Sequence, residues 1–184
     1  MSEARVTLPR WQSLFAALRC GAADPEQFRK LTSAWREPHR RYHTAEHLEA
    51  CLAEFDRVRE LAERPAEVEL ALWFHDAVYQ PRRDDNEQRS AAWMRRVLRA
   101  AVVPDSVALR IERHILATRH GTEPPVGDSA LVVDIDLAVL GTEGAEYEAY
   151  QRAVRAEHRW VPGFLYKRGR RRVLQGLAAH PQIY

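Results

Sequence analysis

Residues 70–79 have the sequence LALWFHDAVY, and this stretch decides the fold class. Apart from His75 and Asp76 it is apolar on nearly every face of a helix, which is typical of a helix buried among other elements. Pro65 upstream suits the first turn of a helix. We therefore predict a buried helix that opens at Pro65 and runs from Val68 to about Tyr79.

The rest of the chain repeats the helical spacing of apolar residues, and β-type alternation is almost absent. Short connections between such helices predict a compact bundle with its sites between facing helices. We predict an all-α, single-domain fold over residues 1–184. The other predicted helices are centred on residues 8–18, 25–35, 48–61, 85–98, 105–118, 129–140, 147–154 and 173–177.

Composition limits the classes of function. The chain of 184 residues is 46% hydrophobic and carries a net charge of +2, so we expect a globular protein and no nucleic-acid partner. No stretch reaches the roughly 20 apolar residues of a membrane span, and the N-terminus resembles no secretory signal, so we expect a cytoplasmic protein without a membrane partner. The basic run from Lys167 to Arg172 could grip phosphates, but we favour a solvated helix start.

The His75-Asp76 pair is the first candidate for chemistry. An aspartate buried alone costs several kcal/mol, so it needs a cation or a full set of donors. Neighbouring helix residues point about 100° apart, but both can reach one metal ion near a helix end or bend. The alternative is an Asp76–arginine pair with His75 as an ordinary core histidine.

Two further segments carry candidate ligands. His43 and His47 are four residues apart, and His47 shares an apolar stripe with Cys51, which we interpret as a small buried residue. This pattern suits a metal ligand at His47 and, at His43, an acid or a hydrogen-bond donor to phosphate. The alternative is simply two interfacial histidines. Asp134 and Asp136 point about 200° apart, so only one can face a metal, and the other would meet an arginine or a backbone donor.

These segments resemble the HD superfamily of metal-dependent phosphohydrolases, and in particular a bacterial subgroup of predicted phosphohydrolases. The order of His, His-Asp and Asp on separate helices matches, and the resemblance covers about residues 8 to 184. The matching segments are Tyr42-His43 with His47, residues 71–79, Asp85-Asn86-Glu87 with Ser90-Ala91, Thr118 with His120, residues 134–141, Gly169-Arg170 and Ile183-Tyr184.

The resemblance implies a fold of the HD and phosphodiesterase type, and a site that hydrolyses a phosphate ester of a small molecule, such as a nucleotide. It implies one divalent transition metal (Mn, Fe, Zn, Co or Ni) on four ligands, with room for a second ion such as Mg. The ligands would be His47, His75, Asp76 and Asp136, the last because Asp136-Leu137 fits the family's run better than Asp134-Ile135.

Roles around the metal follow from the same resemblance and from position. His43 would protonate the leaving group, as in the cyclic-nucleotide phosphodiesterases. Glu87 would orient water or hold a second ion, unless it is only a first-turn carboxylate favoured by the helix dipole. Asn86, Thr118 and His120 are candidate substrate-binding residues.

Two other functions compete with hydrolysis. An HD-fold di-iron oxygenase would need two further histidines, but His114 and His120 are six residues apart and diverge by about 240° on a continuous helix. A metal-binding regulatory module would keep the ligands without turnover. A homodimer is a further expectation, with exposed faces carrying Trp11, Trp35 or Trp160 as candidate interfaces.

Overall fold

The computed structural model describes residues 4–19, 21–119 and 125–178. Within these ranges the chain forms nine α-helices and no strand, which confirms the all-α prediction. The helices are α1 (Leu8–Ala17), α2 (Pro25–Ala34), α3 (Ala45–Val58), α4 (Pro65–Phe74), α5 (Asn86–Ala100), α6 (Asp105–Ala117), α7 (Asp128–Leu137), α8 (Gly144–Glu157) and α9 (Gly163–Ala178), with 3₁₀ turns at Arg59–Leu61 and Ala138–Gly141.

Helix α4 is the centre of the bundle. It packs against α1, α3, α5, α6 and α7, and every residue from Glu67 to Phe74 is buried. Two of these buried residues are carboxylates, and each is paired. Glu67 accepts two hydrogen bonds from the guanidinium of Arg110 on α6, and Glu69 accepts from Arg10 and Arg59. Ion pairs therefore attach neighbouring elements to a helix that is otherwise apolar.

Helix α4 is shorter than the sequence predicted, because it ends at Phe74 rather than near Tyr79. The segment that follows is held by side chains instead of helical hydrogen bonds. The side chain of Asn86 bonds both the N–H and the carbonyl of Gln80, and the Ser90 hydroxyl accepts from the N–H of Val78. The chain thus turns at His75 and Asp76, as a shared metal site on adjacent residues requires.

Two of the three tryptophans expected at interfaces lie in the core instead. Trp11 and Trp35 are fully buried. Trp11 lies 5.4 Å from Trp73, measured between ring centroids, within an aromatic cluster, and the Trp35 indole N–H donates to the carbonyl of Trp73. Both residues stand on the apolar stripes of their helices, so the bundle covers them. Trp160 is 49% exposed.

Helix α9 differs from the rest, because none of its described residues is buried. Phe164, Leu165 and Val173 are exposed on it, together with most of the basic run. Among the described helices, none combines the length and the hydropathy that a membrane crossing demands.

Candidate metal centre

Three polar side chains, from α3, from the end of α4 and from α7, meet at one point in the bundle. His47 lies in the first turn of α3, which begins after Thr44, whose hydroxyl accepts from the N–H of Glu46. His75 follows the last residue of α4, and Asp136 lies in the last turn of α7. Helix ends and first turns therefore supply all three side chains.

The three side chains are as close as the ligands of one metal ion. Nε2 of His47 lies 3.2 Å from Nε2 of His75 and 3.0 Å from Oδ1 of Asp136, and the His75–Asp136 distance is 3.4 Å. Ligand atoms about 2.1 Å from one ion, at angles of about 90° to 110°, lie roughly 3.0 to 3.4 Å apart. The observed separations fit a shared divalent ion.

Hydrogen bonding sets the direction in which His75 faces. Its Nδ1 lies 2.8 Å from the carbonyl oxygen of Leu72, so Nδ1 carries the proton donated to that carbonyl. The free electron pair of Nε2 then faces His47, which is how second-shell carbonyls usually prepare a metal-binding imidazole. Two imidazole nitrogens that face each other beside a carboxylate oxygen form a donor set that could bind a divalent cation.

The electrostatics of the group favour a bound positive charge. Burial alone would lower the pKa of His75, but Asp76 and Asp136 outweigh it and raise that pKa to about 9. Burial would raise the pKa of Asp136, yet His75 and His47 hold it well below the usual range. The group thus takes up positive charge, either as a proton on His75 or as a metal ion that replaces it.

The fourth position has two candidates. Oδ2 of Asp76, the predicted ligand, lies 3.4 Å from Nε2 of His75, but Asp76 is not a member of the closest group of ligand atoms. The buried thiol of Cys51 completes a group with His47, His75 and Asp136 whose ligand atoms all lie within 4.8 Å of one another, and this group could hold a metal ion.

The position of the Cys51 sulfur argues against direct ligation. Sγ lies 3.6 Å from Nε2 and 3.8 Å from Nδ1 of His47, so it is almost equally far from both ring nitrogens. An ion bound by Nε2 would lie on the far side of that atom from Nδ1. The sulfur therefore packs beside the ring, about 4 Å or more from an ion at a usual bond length of about 2.1 Å, whereas a thiolate ligand needs about 2.3 Å.

The other predicted residues lie elsewhere or have other partners. Asp134 is outside the group, and its half-buried carboxylate has no hydrogen bond or ion pair within the described ranges. Glu87 is half-buried in the first turn of α5. The Asn86 amide is occupied by Gln80, and the Thr118 hydroxyl donates to the carbonyl of Ile115. His120 lies outside the described residues.

A second group of polar side chains surrounds His43, which precedes α3. Glu157 at the end of α8 accepts hydrogen bonds on Oε1 from the backbone N–H groups of Arg41, Tyr42 and His43. Its Oε2 lies 2.8 Å from Nδ1 of His43 and accepts from the hydroxyl of Tyr79, whose ring stacks on the imidazole at 4.1 Å. The other nitrogen, Nε2, faces Oδ2 of Asp76 at 3.9 Å.

Burial and charge explain the protonation states of this pair. Burial would raise the pKa of Glu157, but the bond from His43 and the backbone N–H groups bring it far below the usual range. Burial would lower the pKa of His43, but Asp76 and Glu157 raise it. A charged His43 beside an ionised Glu157 is therefore favoured, with a proton on the nitrogen that faces Asp76.

Sequence reasoning missed two residues that organise the site. Glu157 shares the buried face of α8 with Tyr150 and Val154, so a carboxylate in an apolar stripe was the available signal. Arg40 gave no such signal. Its side chain is fully buried and donates to the carbonyls of His43, Asp76 and Ala77, which joins the two segments that carry the site.

A cavity of about 740 Å³ opens beside the group, between α3, the 3₁₀ turn after α7, and α8. His47 and Cys51 form part of its wall, together with the rings of Tyr42 and Tyr150. Ile135 and several small residues also line it. So do three carboxylates, Glu46, Glu54 and Glu146, and two arginines, Arg41 and Arg57, of which Arg57 pairs with Glu54. This volume suits a small organic ligand.

Comparisons with known proteins give no relative. No protein-family model, no curated protein and no solved structure matches the chain.

Proposed function

We propose that this chain is a metal-dependent phosphohydrolase of the HD type, acting on the phosphate ester of a small molecule such as a nucleotide. One observation carries the proposal. Two imidazole nitrogens and a carboxylate oxygen from three helices lie 3.0–3.4 Å apart, beside a separate imidazole held by a buried carboxylate. The first group is suited to binding a metal ion, and the second is suited to acting as a general acid.

Each residue has a role in this proposal. His47, His75 and Asp136 hold a divalent transition ion, with Asp76 as the fourth ligand. Such an ion would polarise a phosphoryl oxygen and activate water for attack. Nε2 of His43 carries the proton for the leaving oxygen, and Glu157 holds the opposite nitrogen so that the proton faces the site. His43 is half-buried, with 22% of its side chain exposed, and it does not line the cavity beside His47.

The cavity beside His47 supports a small-molecule substrate. Of the proposed metal ligands, His47 is the one that lines it, so a phosphate would approach the ion from the His47 side while the rings of Tyr42 and Tyr150 contact the body of the ester. Arg41 on the lining is placed to meet a phosphate oxygen. Asn86 and Thr118 are not assigned to substrate, because the backbone already occupies their side chains.

The competing functions receive less support. His114, which a di-iron centre would need, bonds the Ser129 hydroxyl through Nδ1 and is not part of the group. A regulatory module without turnover would use the same metal ligands, so only activity separates it from a hydrolase. The ordered His43–Glu157 pair favours the hydrolase, because metal binding alone has no use for it.

The first experiment combines metal content with turnover. Protein purified without chelator is analysed for bound metals by mass spectrometry and then screened against phosphate monoesters and diesters with Mn²⁺, Co²⁺, Ni²⁺, Fe²⁺ and Zn²⁺. We expect about one or two ions per chain and hydrolysis of at least one ester class. Bound metal without hydrolysis of any ester would point to the regulatory module.

A matched pair of variants tests the ligand assignment. We expect His75→Ala and Asp136→Asn to lose both metal and activity, and Asp134→Asn, two residues away on the same helix, to keep both. Metal retained in Asp136→Asn but lost in Asp134→Asn would refute the assignment.

A further inference from the structure

Charge is unevenly distributed along the chain, despite the net charge of +2. Residues 151–184 contain eight arginines or lysines and one acidic residue, Glu157, which gives a net charge of +7. Residues 1–150 contain 20 basic and 25 acidic residues, a net charge of −5. Such asymmetry indicates a surface that meets an anion.

The structure gathers part of this charge around one cavity. A cavity of about 780 Å³ lies between α8 and α9. Five cationic side chains line it, and among the described residues no carboxylate does; the cations are Arg152, Arg155, Lys167, Arg170 and Arg171. None of its lining residues also lines the cavity beside the metal centre.

Two of the cations are fixed by neutral partners. Arg155 donates to the carbonyls of His158 and Val161 and lies over the ring of Tyr166. Arg170 donates to the hydroxyl of Tyr150 and lies over that ring. Neutral contacts hold these guanidinium groups in place without cancelling their charge, so a bound anion has less side-chain entropy to remove.

The remaining cations have little opposing charge. Arg152 forms an exposed pair with Glu148, and such pairs are weak. Lys167 and Arg171 have no ion pair in the part of the chain that the structure describes, and they stand four residues apart, on one face of α9. Four of the five cations on this lining thus have no ion pair among the described residues, and the fifth, Arg152, has only a weak one.

We propose that the cavity between α8 and α9 is a second binding site, separate from the metal centre, for a compact anion that carries two or more phosphate groups. Guanidinium and ammonium groups are the usual protein partners of phosphate. The volume of about 780 Å³ lies in the range of sites for small ligands. The proposal does not depend on hydrolysis at the metal centre.

Titration calorimetry with inorganic tripolyphosphate tests the site. The proteins compared are the wild type, the double variant Lys167→Ala/Arg171→Ala, and the control Arg89→Ala/Arg99→Ala, which removes two exposed cations from α5. We expect the Kd of the first double variant to rise at least about tenfold, since each charged hydrogen bond is worth about a factor of ten. The control should bind like the wild type, and inorganic monophosphate should bind more weakly.

Further measurements fix the place and the class of ligand. Asp136→Asn, which lacks the metal ligand, should still bind tripolyphosphate, and the α9 double variant should keep its metal and its helical circular dichroism. Loss of binding in Asp136→Asn, or equal affinity in the two double variants, would overturn the proposal. Tighter binding of short oligothymidylate or of anionic phospholipid vesicles would overturn the assignment to a compact ligand.

Discussion

Nδ1 of His43 lies 2.8 Å from Oε2 of Glu157, although 114 residues separate the two in the sequence. The Glu157 side chain is fully buried, and all of its partners are donors. One carboxylate thus fixes both the backbone that leads into α3 and the imidazole that faces the candidate metal centre.

We expect Glu157→Gln to slow turnover about 10- to 100-fold without removing the metal, since positioned general acids contribute factors of this order or larger. Glutamine has the same size, but its NH₂ group would face either the backbone N–H groups or His43. The loss should be large for an alkyl phosphate and small for p-nitrophenyl phosphate, whose leaving group needs no proton. A merely structural role would reduce both rates equally. Glu148→Gln, at an exposed position of α8, is the matched control.

The fourth ligand can be read from the spectrum of the cobalt-substituted protein. We expect Co²⁺ to bind without a thiolate-to-cobalt charge-transfer band in the near ultraviolet, because the sulfur of Cys51 lies beside the His47 ring. Cys51→Ser should keep the spectrum and the affinity, whereas Asp76→Asn should weaken Co²⁺ binding. A band that is present in the wild type and absent from Cys51→Ser would identify the thiolate as the ligand.

Arg40→Lys should weaken metal binding about 10- to 100-fold, the usual effect of losing a second-shell contact. A lysine has one ammonium group and cannot reach the carbonyls of His43, Asp76 and Ala77 at once. Affinity is measured by competition with a chromogenic chelator. Arg36→Lys, at an exposed position after α2, should have no effect, and an unchanged affinity in Arg40→Lys would remove the arginine from the site.

His114 makes stability depend on pH. Burial lowers its pKa from the usual value of about 6.5, although Asp128 and Glu67 partly oppose the shift. Below about pH 6.5 the unfolded chain therefore binds a proton that the folded chain does not. The free energy of unfolding consequently decreases as the pH is lowered. Urea titrations should show a smaller decrease from about pH 7 to about pH 5 in His114→Gln than in the wild type. Equal decreases would contradict this assignment.

The sequence predicted the elements whose signals are local. The apolar run at residues 70–79 identified a buried helix, and that helix is the centre of the bundle. The helix predicted at residues 25–35 begins at Pro25, and the Asp24 side chain accepts from the N–H of Glu26 at its start. Both features depend on residues a few positions apart in the sequence, so a local sequence pattern is enough to predict them.

Other features depend on partners far away in the sequence. The stop of α4 at Phe74 follows from bonds made by Arg40, Asn86 and Ser90, none of which belongs to the helix. Asp134 and Asp136 have similar apolar neighbours, so periodicity does not distinguish them. The packing of α7 against α3 and α4 brings Asp136 beside His47 and His75. Trp11 and Trp35 were assigned to exposed faces because periodicity gives a face of a helix but not what covers it.

Glu157 follows the three candidate ligands in the sequence, so it is added to the growing chain after them. His47, His75 and Asp136 all precede α8 in the sequence and are therefore synthesised before it. A chain interrupted before α8 would contain these three ligands but lack the carboxylate that holds His43. Under the proposed function, the metal ligands and the partner of the acid are therefore present together only in a chain that extends through Glu157.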